Sequence, residues 1–210
     1  MVASFIIFIF TKINKVMHIF QQSMASDPLE WYWFKTGFTH EEVDQIIAES
    51  KNWGLQTAGV TDAGVVNDEF RKSAIAWVPK ADPYKWIYEK LGGMIEEANN
   101  ALWKFNLYSM NEQIQYTEYY QDGGHYDYHL DIGGGYPLNQ RKISITVQLA
   151  GPDEYEGGDF QILRGKSPES LPKHKGCVLV FPSYILHRVS PVTSGTRKSL
   201  VLWVGGDSYK

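Results

Sequence analysis

The stretch from which fold and site can be predicted together reads Tyr120-Gln-Asp-Gly-Gly-His-Tyr-Asp-Tyr-His-Leu-Asp131. Asp122-Gly123-Gly124 is a turn sequence, because glycine adopts backbone angles that other residues avoid. The segments on either side of it, Gln115 to Tyr120 and His125 to Asp131, are rich in aromatic residues. They predict two strands that meet at this turn.

The same pattern continues to the end of the chain. Further short strands are predicted at Ile143 to Leu149, Gly158 to Leu163, Cys177 to Phe181, His187 to Val189 and Ser199 to Val204. Glycine-containing turns separate them, and strands at this spacing are typical of an antiparallel sandwich or jelly roll.

The first half of the chain predicts helices. A short strand over Leu29 to Phe34 precedes Thr39, which forms a capping box with Glu42 at the start of a helix that runs to about Lys51. Asp82-Pro83 opens a second predicted helix, with Asp at the cap, that runs to about Phe105. Asn52 to Asp68 is predicted as loop and Ile75 to Val78 as strand. The expected fold class is α+β, with a double-stranded β-helix (jelly roll) core and helices packed on one face.

Length and composition fit one soluble globular domain. The chain has 210 residues, 43% of them apolar, and a net charge of -4, which argues against a nucleic-acid binder. The single cysteine, Cys177, excludes an internal disulfide and is typical of a reducing compartment. Residues 1–25 are interpreted as an extension outside the fold, with Met17 and Met24 as alternative starts, and residues 26–210 as one domain with core motifs at 113–205.

Two His-x-Asp pairs lie in the quoted stretch, His125 with Asp127 and His129 with Asp131. Residues two apart in a strand face the same side, so either pair can direct both side chains at one ion. A further histidine from a distant strand would complete a two-histidine, one-carboxylate set, which suits non-haem Fe(II) and leaves other positions open. Spacing alone does not choose between the two pairs.

His187 follows an apolar strand, and Arg197 begins the last strand ten residues later. Pro191 and Gly195 between them predict a hairpin that brings Arg197 back beside His187. The planar fork of arginine matches a carboxylate with two parallel hydrogen bonds. Arg197 is therefore a candidate carboxylate-binding residue, with a surface arginine on a hairpin as the alternative.

These two segments resemble the Fe(II)/2-oxoglutarate dioxygenases of the prolyl 4-hydroxylase alpha-subunit type, including bacterial PKHD-type hydroxylases. The resemblance rests on Tyr120, Gly123-Gly124, Tyr126, His129-x-Asp131, Arg141-x-x-Ser144, Glu156-Gly157-Gly158, Gly176, Phe181-Pro182, His187 and Arg197. Its Gly-Gly-x-Tyr-x-x-His-x-Asp order selects His129 and Asp131. The sequence departs from the pattern at Arg197, where collagen-type enzymes use Lys, and at Gln148, where relatives often carry Tyr.

The resemblance implies a hydroxylase that acts on paired donors with incorporation of O2. It implies Fe(II), 2-oxoglutarate and O2 as cofactor and co-substrates, succinate and CO2 as co-products, and ascorbate to re-reduce the iron. The metal ligands it implies are His129, Asp131 and His187. The residues it implies for the 2-oxoglutarate side are Arg197, Tyr120, Trp203 and Gln148.

The substrate expected by family analogy is a prolyl residue in a peptide or protein. An oxygenase of the same core acting on a small molecule or nucleobase is one alternative, and a catalytically inactive jelly-roll binding module is another. A cytoplasmic protein without a membrane partner is expected, and the oligomeric state stays open. Arg71-Lys72-Ser73 resembles a basic patch near the substrate entrance of bacterial relatives, or else forms a solvated turn. His125 either borders the cleft or lies on the surface.

Overall fold

A computed structural model describes residues 30–58 and 67–208. The extension predicted over residues 1–25 lies outside the described residues, as does the central part of the loop predicted at Asn52 to Asp68. The division into an extension and one domain therefore stays a prediction.

The first α-helix, α1 (His40–Ser50), begins as the sequence predicts. The Glu42 amide donates to Thr39 Oγ1 at 3.2 Å, and the Thr39 amide donates to Glu42 Oε2 at 2.8 Å. These two bonds satisfy backbone donors that the first helical turn leaves free, so the capping box is confirmed.

The second helix, α2 (Lys85–Ala101), is shorter than predicted at both ends. Its N-cap is Tyr84, whose amide donates to Ala81 O at 2.8 Å, so the residues around Asp82-Pro83 form a turn before the helix and the predicted Asp cap is wrong. At the other end, the Asn99 side chain bonds both backbone groups of Phe105 and stops the helix. Within the described residues, neither helix has the length and apolar character that crossing a lipid bilayer requires.

Fourteen strands and one short 3-10 helix (Leu138–Gln140) make up the rest of the regular structure in the described residues. They are β1 (Tyr32–Phe34), β2 (Gln56–Thr57), β3 (Arg71–Lys72), β4 (Ala74–Val78), β5 (Leu107–Ser109), β6 (Ile114–Tyr120), β7 (His125–His129), β8 (Arg141–Gln148), β9 (Tyr155–Gly157), β10 (Phe160–Arg164), β11 (Ser167–Ser170), β12 (Val178–Pro182), β13 (His187–Val189) and β14 (Val192–Gly206). Every strand predicted from the sequence is present. The additional ones are short and lack the apolar runs that sequence patterns detect.

The strands form two antiparallel sheets. The large sheet has the order β1-β12-β8-β14-β6-β4-β2, with β5 and β9 also paired to β14. The small sheet has the order β11-β10-β13-β7-β3. This arrangement confirms the α+β class with a double-stranded β-helix core.

The large sheet is covered on both faces. On its outer face, Val178 and Val180 of β12 pack in one core cluster with Ile46 of α1 and Leu91 of α2. The alternate residues of β12, exemplified by Leu179, belong to a second cluster formed with residues of the small sheet. Burial of each such side chain contributes about 1.5–3 kcal/mol, so both clusters hold the layers together. The candidate site lies between the two sheets.

Candidate metal and co-substrate site

A cavity of about 500 Å³ opens between the two sheets. Its polar and aromatic lining includes Arg71, Tyr119, Tyr126, His129, Asp131, Arg141, His187, Arg197 and Trp203. Asp131 is the one carboxylate among the described residues that line it, whereas three of the lining residues are arginines. The cavity is therefore built to receive anionic groups and a cation close to Asp131.

Three potential metal ligands meet in this cavity. His129 Nε2 lies 3.7 Å from Asp131 Oδ1, and His187 Nε2 lies 3.6 Å from Asp131 Oδ2. One ligand atom from each of the three residues lies within 4.8 Å of the other two. Two imidazoles and one carboxylate in this arrangement are the donor set that suits non-haem Fe(II).

The two histidines are brought together by strand pairing. His187 of β13 lies directly opposite His129 of β7 in the small sheet. His129 Nδ1 lies 2.7 Å from Asp127 O, and His187 Nδ1 lies 2.8 Å from Ile185 O. Because a carbonyl oxygen only accepts, Nδ1 carries the proton in both rings, and each Nε2 presents its lone pair toward Asp131.

Asp131 lies just beyond the end of β7, where it is held by the neighbouring sheet. Its amide donates to Ser183 O at 3.0 Å, and Ser144 Oγ donates to its Oδ2 at 2.6 Å. Arg141 donates to the Asp131 carbonyl at 3.1 Å and pairs with Glu112. The Arg141-x-x-Ser144 motif thus fixes both the backbone and the carboxylate of Asp131.

The charge states of the ligands fit a metal. Burial, and after it the adjacent His187, lowers the pKa of His129 to about 3. Burial alone would raise the pKa of Asp131, but His187, His129 and the Ser144 hydroxyl hold it below its usual value. At neutral pH His129 is a neutral ligand and Asp131 an ionised one, which is the state that metal binding requires.

The competing pair, His125 with Asp127, is not at the cavity. Asp127 is exposed, and its Oδ1 accepts from the Tyr128 amide at 2.7 Å. The His125 ring lies between two backbone carbonyls, those of Gly123 and Glu69. Of the two His-x-Asp pairs, the structure therefore brings only His129 and Asp131 together with His187.

Arg197 is a buried guanidinium with a vacant donor. Only 1% of it is exposed; Nη1 donates to Ser199 Oγ and Nη2 to Gln148 Oε1, each at 3.1 Å. Its Nε is buried without a hydrogen-bond partner, and no carboxylate of the described residues lies within 4.0 Å. A buried charge without a counter-ion is costly, so this group fits an anionic ligand.

The predicted hairpin between His187 and Arg197 is not formed. β13 already has β10 on one edge and β7 on the other, so no edge is free for β14. The chain instead crosses to the large sheet, where Arg197 pairs with Tyr119 of β6. Both His187 and Arg197 nevertheless line the same cavity.

The remaining two co-substrate candidates lie near Arg197 or in the cavity. Gln148 is fully buried and supports Arg197 through its Oε1, while its Nε2 has no partner. Trp203 lines the cavity with the Arg141 guanidinium 3.9 Å from its ring centroid, and its Nε1 is also buried without a partner.

The placement predicted for Tyr120 needs correction. Tyr120 is 38% exposed, is not among the cavity-lining residues, and donates its hydroxyl to Glu118 Oε2 at 2.7 Å. Tyr119 lines the cavity instead, with the Arg197 guanidinium 5.2 Å from its ring centroid. Side chains alternate along a strand, so an error of one residue places the tyrosine on the opposite face. The signal that identifies Tyr119 is its register opposite Arg197, which the sequence does not display.

Comparisons with known proteins agree with this geometry. Residues 114–205 match the family model described as the 2OG-Fe(II) oxygenase superfamily. A PKHD-type hydroxylase of Acidovorax ebreus is 33% identical over 90 residues, covering 40% of each chain. A PKHD-type hydroxylase of Crocosphaera subtropica is 32% identical over 107 residues, covering 50% of this chain and 48% of the relative. The chain thus matches less than half the length of these relatives.

Solved structures show the same fold at low sequence identity. The prolyl hydroxylase of Trichoplax adhaerens, in complex with a hypoxia inducible factor oxygen degradation domain peptide fragment, has a TM-score of 0.71 at 16% identity and covers 84% of both chains. A Pseudomonas putida prolyl-4-hydroxylase has a TM-score of 0.66 at 20% identity, covering 85% of this chain and 94% of that one. These structures support the fold expected from the sequence, and the resemblance itself is confirmed by the family model and the PKHD-type relatives.

Proposed function

We propose that the protein is an Fe(II)- and 2-oxoglutarate-dependent dioxygenase that hydroxylates a C–H bond of its substrate, on the premise that residues 114–205 match the model of the 2OG-Fe(II) oxygenase superfamily. The observation that carries the proposal is that three potential metal ligands lie in one cavity with a buried Arg197 that has no acidic partner among the described residues. Burial of a charged side chain without a counter-ion costs free energy. In an inactive binding module, no bound metal or 2-oxoglutarate would offset that cost at Asp131 or Arg197.

His129, Asp131 and His187 would hold the ferrous ion through the two Nε2 atoms and the carboxylate. With 2-oxoglutarate and O2, bound ferrous iron supplies the oxidising power for C–H hydroxylation, and succinate and CO2 leave as co-products. The protein's own part is to fix the ligand geometry. Ser144 and Ser183 do this for Asp131, and backbone carbonyls do it for both imidazoles.

Arg197 would bind the distal carboxylate of 2-oxoglutarate, because its guanidinium fork is fixed and has no acidic partner among the described residues. Tyr119, directly opposite Arg197 across the strand pair, replaces Tyr120 as the tyrosine proposed for this subsite. Trp203 would close the cavity beside the co-substrate, and Gln148 would hold Arg197 in place.

The proposed primary substrate is a prolyl residue in a peptide or protein. The support is the shared fold with prolyl hydroxylases, one of which is in complex with a peptide. Ascorbate as a reductant and a cytoplasmic location stay predictions drawn from the family resemblance and the composition.

The test is an anaerobic titration of the metal-free protein with Fe(II) and 2-oxoglutarate, followed by the weak visible absorption band of the chelate. We expect the band in the wild type and its loss in His187→Ala, with Arg188→Ala as a control because Arg188 bonds Gln161 outside the cavity. Absence of the band in folded wild-type protein would refute the proposal and favour the inactive binding module. If the band is present and, after O2 is admitted, 2-oxoglutarate is converted to succinate only when a non-peptide substrate is added, the small-molecule or nucleobase oxygenase would be favoured.

A further inference from the structure

Arg71 is a second buried guanidinium in the cavity. Only 6% of the residue is exposed, and it lines the cavity with His129 and Asp131. It lies in β3, directly opposite Tyr126 of β7 at the edge of the small sheet. The predicted basic patch therefore divides in the structure, because the adjacent Lys72 turns outward and pairs with Asp122 at 2.9 Å.

The contacts of Arg71 leave its charge without a counter-ion. Nε donates to Ser73 Oγ at 3.0 Å, and the guanidinium carbon lies 4.5 Å from the centroid of the Tyr126 ring. Nη2 is buried with no hydrogen-bond partner. Within residues 30–58 and 67–208, no carboxylate lies within 4.0 Å of it.

A guanidinium stays protonated even when buried, so this positive charge is permanent. A hydroxyl and an aromatic face compensate it only in part. The other two arginines of the cavity have their anions accounted for. Arg141 pairs with Glu112, and Arg197 is assigned to the distal carboxylate of 2-oxoglutarate. Among the three arginines that line the cavity, Arg71 is the one to which no anion has been assigned.

Arg71 is also close to the reacting centre. The Tyr126 ring that its guanidinium covers is stacked on the His129 imidazole, with centroids 3.6 Å apart and planes inclined by 17°. One aromatic ring thus touches both Arg71 and a metal ligand. If an anionic group of a bound molecule pairs with Arg71, the neighbouring atoms of that molecule would therefore lie close to the metal site.

We propose that Arg71 binds a carboxylate of the primary substrate and thereby selects substrates that carry an acidic group next to the hydroxylated carbon. The inference rests on the proposed function and specifies its substrate class. The carboxylate has two possible sources, which share the same chemistry. One is the substrate's own α-carboxylate, and the other is the side chain of an acidic residue next to the hydroxylated one.

Binding to protein loaded with Mn(II) and 2-oxoglutarate tests this without catalysis. The first probe pair is N-acetyl-L-proline and the neutral N-acetyl-L-prolinamide. The second pair is a Glu-Pro dipeptide blocked at both ends and the Gln-Pro dipeptide with the same blocking groups. Paramagnetic broadening of the probe signals by Mn(II) reports both affinity and closeness to the metal. The first pair tests the α-carboxylate and the second tests the acidic neighbour.

We expect the acid of at least one pair to bind at least about tenfold more tightly than its neutral partner, as one charge-assisted hydrogen-bonded contact supplies. Arg71→Gln should reduce that preference to below about twofold. Arg71→Lys, which keeps a point charge without the fork, should keep a weaker preference, and it decides the question if Arg71→Gln does not fold. Lys72→Gln is the matched control and should retain the full preference, because Lys72 faces solvent.

Three results would overturn the inference. They are equal or absent binding of acid and neutral partner in both pairs, a preference that survives Arg71→Gln, and a loss of 2-oxoglutarate affinity in Arg71→Gln as large as in Arg197→Gln. Loading of the wild type with Mn(II) and 2-oxoglutarate is measured first. Failure of that step refutes the proposed function itself, whereas normal loading without an acid preference refutes only the role of Arg71.

Discussion

Ser144 Oγ donates a 2.6 Å hydrogen bond to Asp131 Oδ2, although Ser144 lies within β8 of the large sheet and Asp131 lies just beyond the end of β7 of the small sheet. The same hydroxyl lies 2.9 Å from Ser183 Oγ, and the Ser183 carbonyl accepts the Asp131 amide. The carboxylate is thus held from both its side chain and its backbone before any metal binds.

Removing this hydroxyl should weaken metal binding without removing a ligand. We expect Ser144→Ala to lower the affinity for Fe(II) or Mn(II) by about tenfold to hundredfold, as loss of a supporting hydrogen bond to a metal ligand typically does. Anaerobic calorimetry measures the affinity. Ser170→Ala is the control, since Ser170 Oγ only accepts from Gln161 on the small sheet. Unchanged affinity in Ser144→Ala would show that Asp131 is oriented without it.

The choice between the two His-x-Asp pairs can be tested directly. Asp131→Ala should abolish metal binding, because it removes the single carboxylate among the described residues that line the cavity. Asp127→Ala should leave binding within about twofold of the wild type, because the Asp127 side chain is exposed and its carboxylate bonds the neighbouring Tyr128 amide, whereas the Asp127 carbonyl that orients His129 is kept in the variant. Metal titrations of both variants provide the comparison, and the reverse pattern would assign the site to His125 and Asp127.

Arg197 should control the requirement for 2-oxoglutarate. Loss of a charged hydrogen-bonding group costs about 1.5–3 kcal/mol, so Arg197→Ala should weaken 2-oxoglutarate binding by about tenfold to hundredfold. Metal affinity should change little, because the hydrogen bonds of Arg197 go to Ser199 and Gln148 and not to the three metal ligands. Fluorescence or dialysis binding of 2-oxoglutarate to the Mn(II)-loaded variant measures the effect. An unchanged requirement would place the carboxylate subsite elsewhere.

Two adjacent tyrosines provide a test of strand register. Tyr119→Phe removes a hydroxyl from the cavity and should weaken 2-oxoglutarate binding by about fivefold to tenfold, the usual contribution of one hydrogen bond. Tyr120→Phe removes a hydroxyl that bonds Glu118 at the surface and should have almost no effect on that affinity. If Tyr120→Phe had the larger effect, the register correction would be wrong.

Gly158 should be required for the position of Arg197. Its φ is +58°, and a Cβ there would lie 2.9 Å from Val192 Cγ2 and 3.2 Å from Arg197 Cδ. Gly165 has the same φ of +58° but open space around its Cβ position. Gly165→Ala should therefore cost only the left-handed backbone penalty of about 1–2 kcal/mol in the free energy of unfolding.

Gly158→Ala should cost that penalty and about 1–3 kcal/mol more from overpacking, and it should also weaken 2-oxoglutarate binding by displacing Arg197. Denaturant unfolding and 2-oxoglutarate binding of the two variants measure these effects. Equal losses of stability, with normal co-substrate affinity in both, would contradict the packing argument.

Features that depend on local spacing could be predicted. The capping box of α1 and the two candidate His-x-Asp pairs involve residues only two or three positions apart, but the choice of His129 and Asp131 came from the family resemblance and not from spacing. Helix boundaries were less accurate. The start of α2 at Lys85 depends on a preceding turn, and its end depends on Asn99 bonding Phe105 across a bend. Neither contact has a distinctive sequence pattern.

The sequence by itself determined where the main strands lie, which residue types were candidate metal ligands and that an arginine begins the last strand, because each follows from residue chemistry at short separation. Only the tertiary structure decided which tyrosine faces the cavity. The large sheet is buried on both faces, so apolar residues do not alternate along β6 and its sequence cannot indicate which side is inside. Only the tertiary structure, likewise, showed that Arg71 and Arg197 have no acidic partner among the described residues, because the pairing of charges depends on proximity in space.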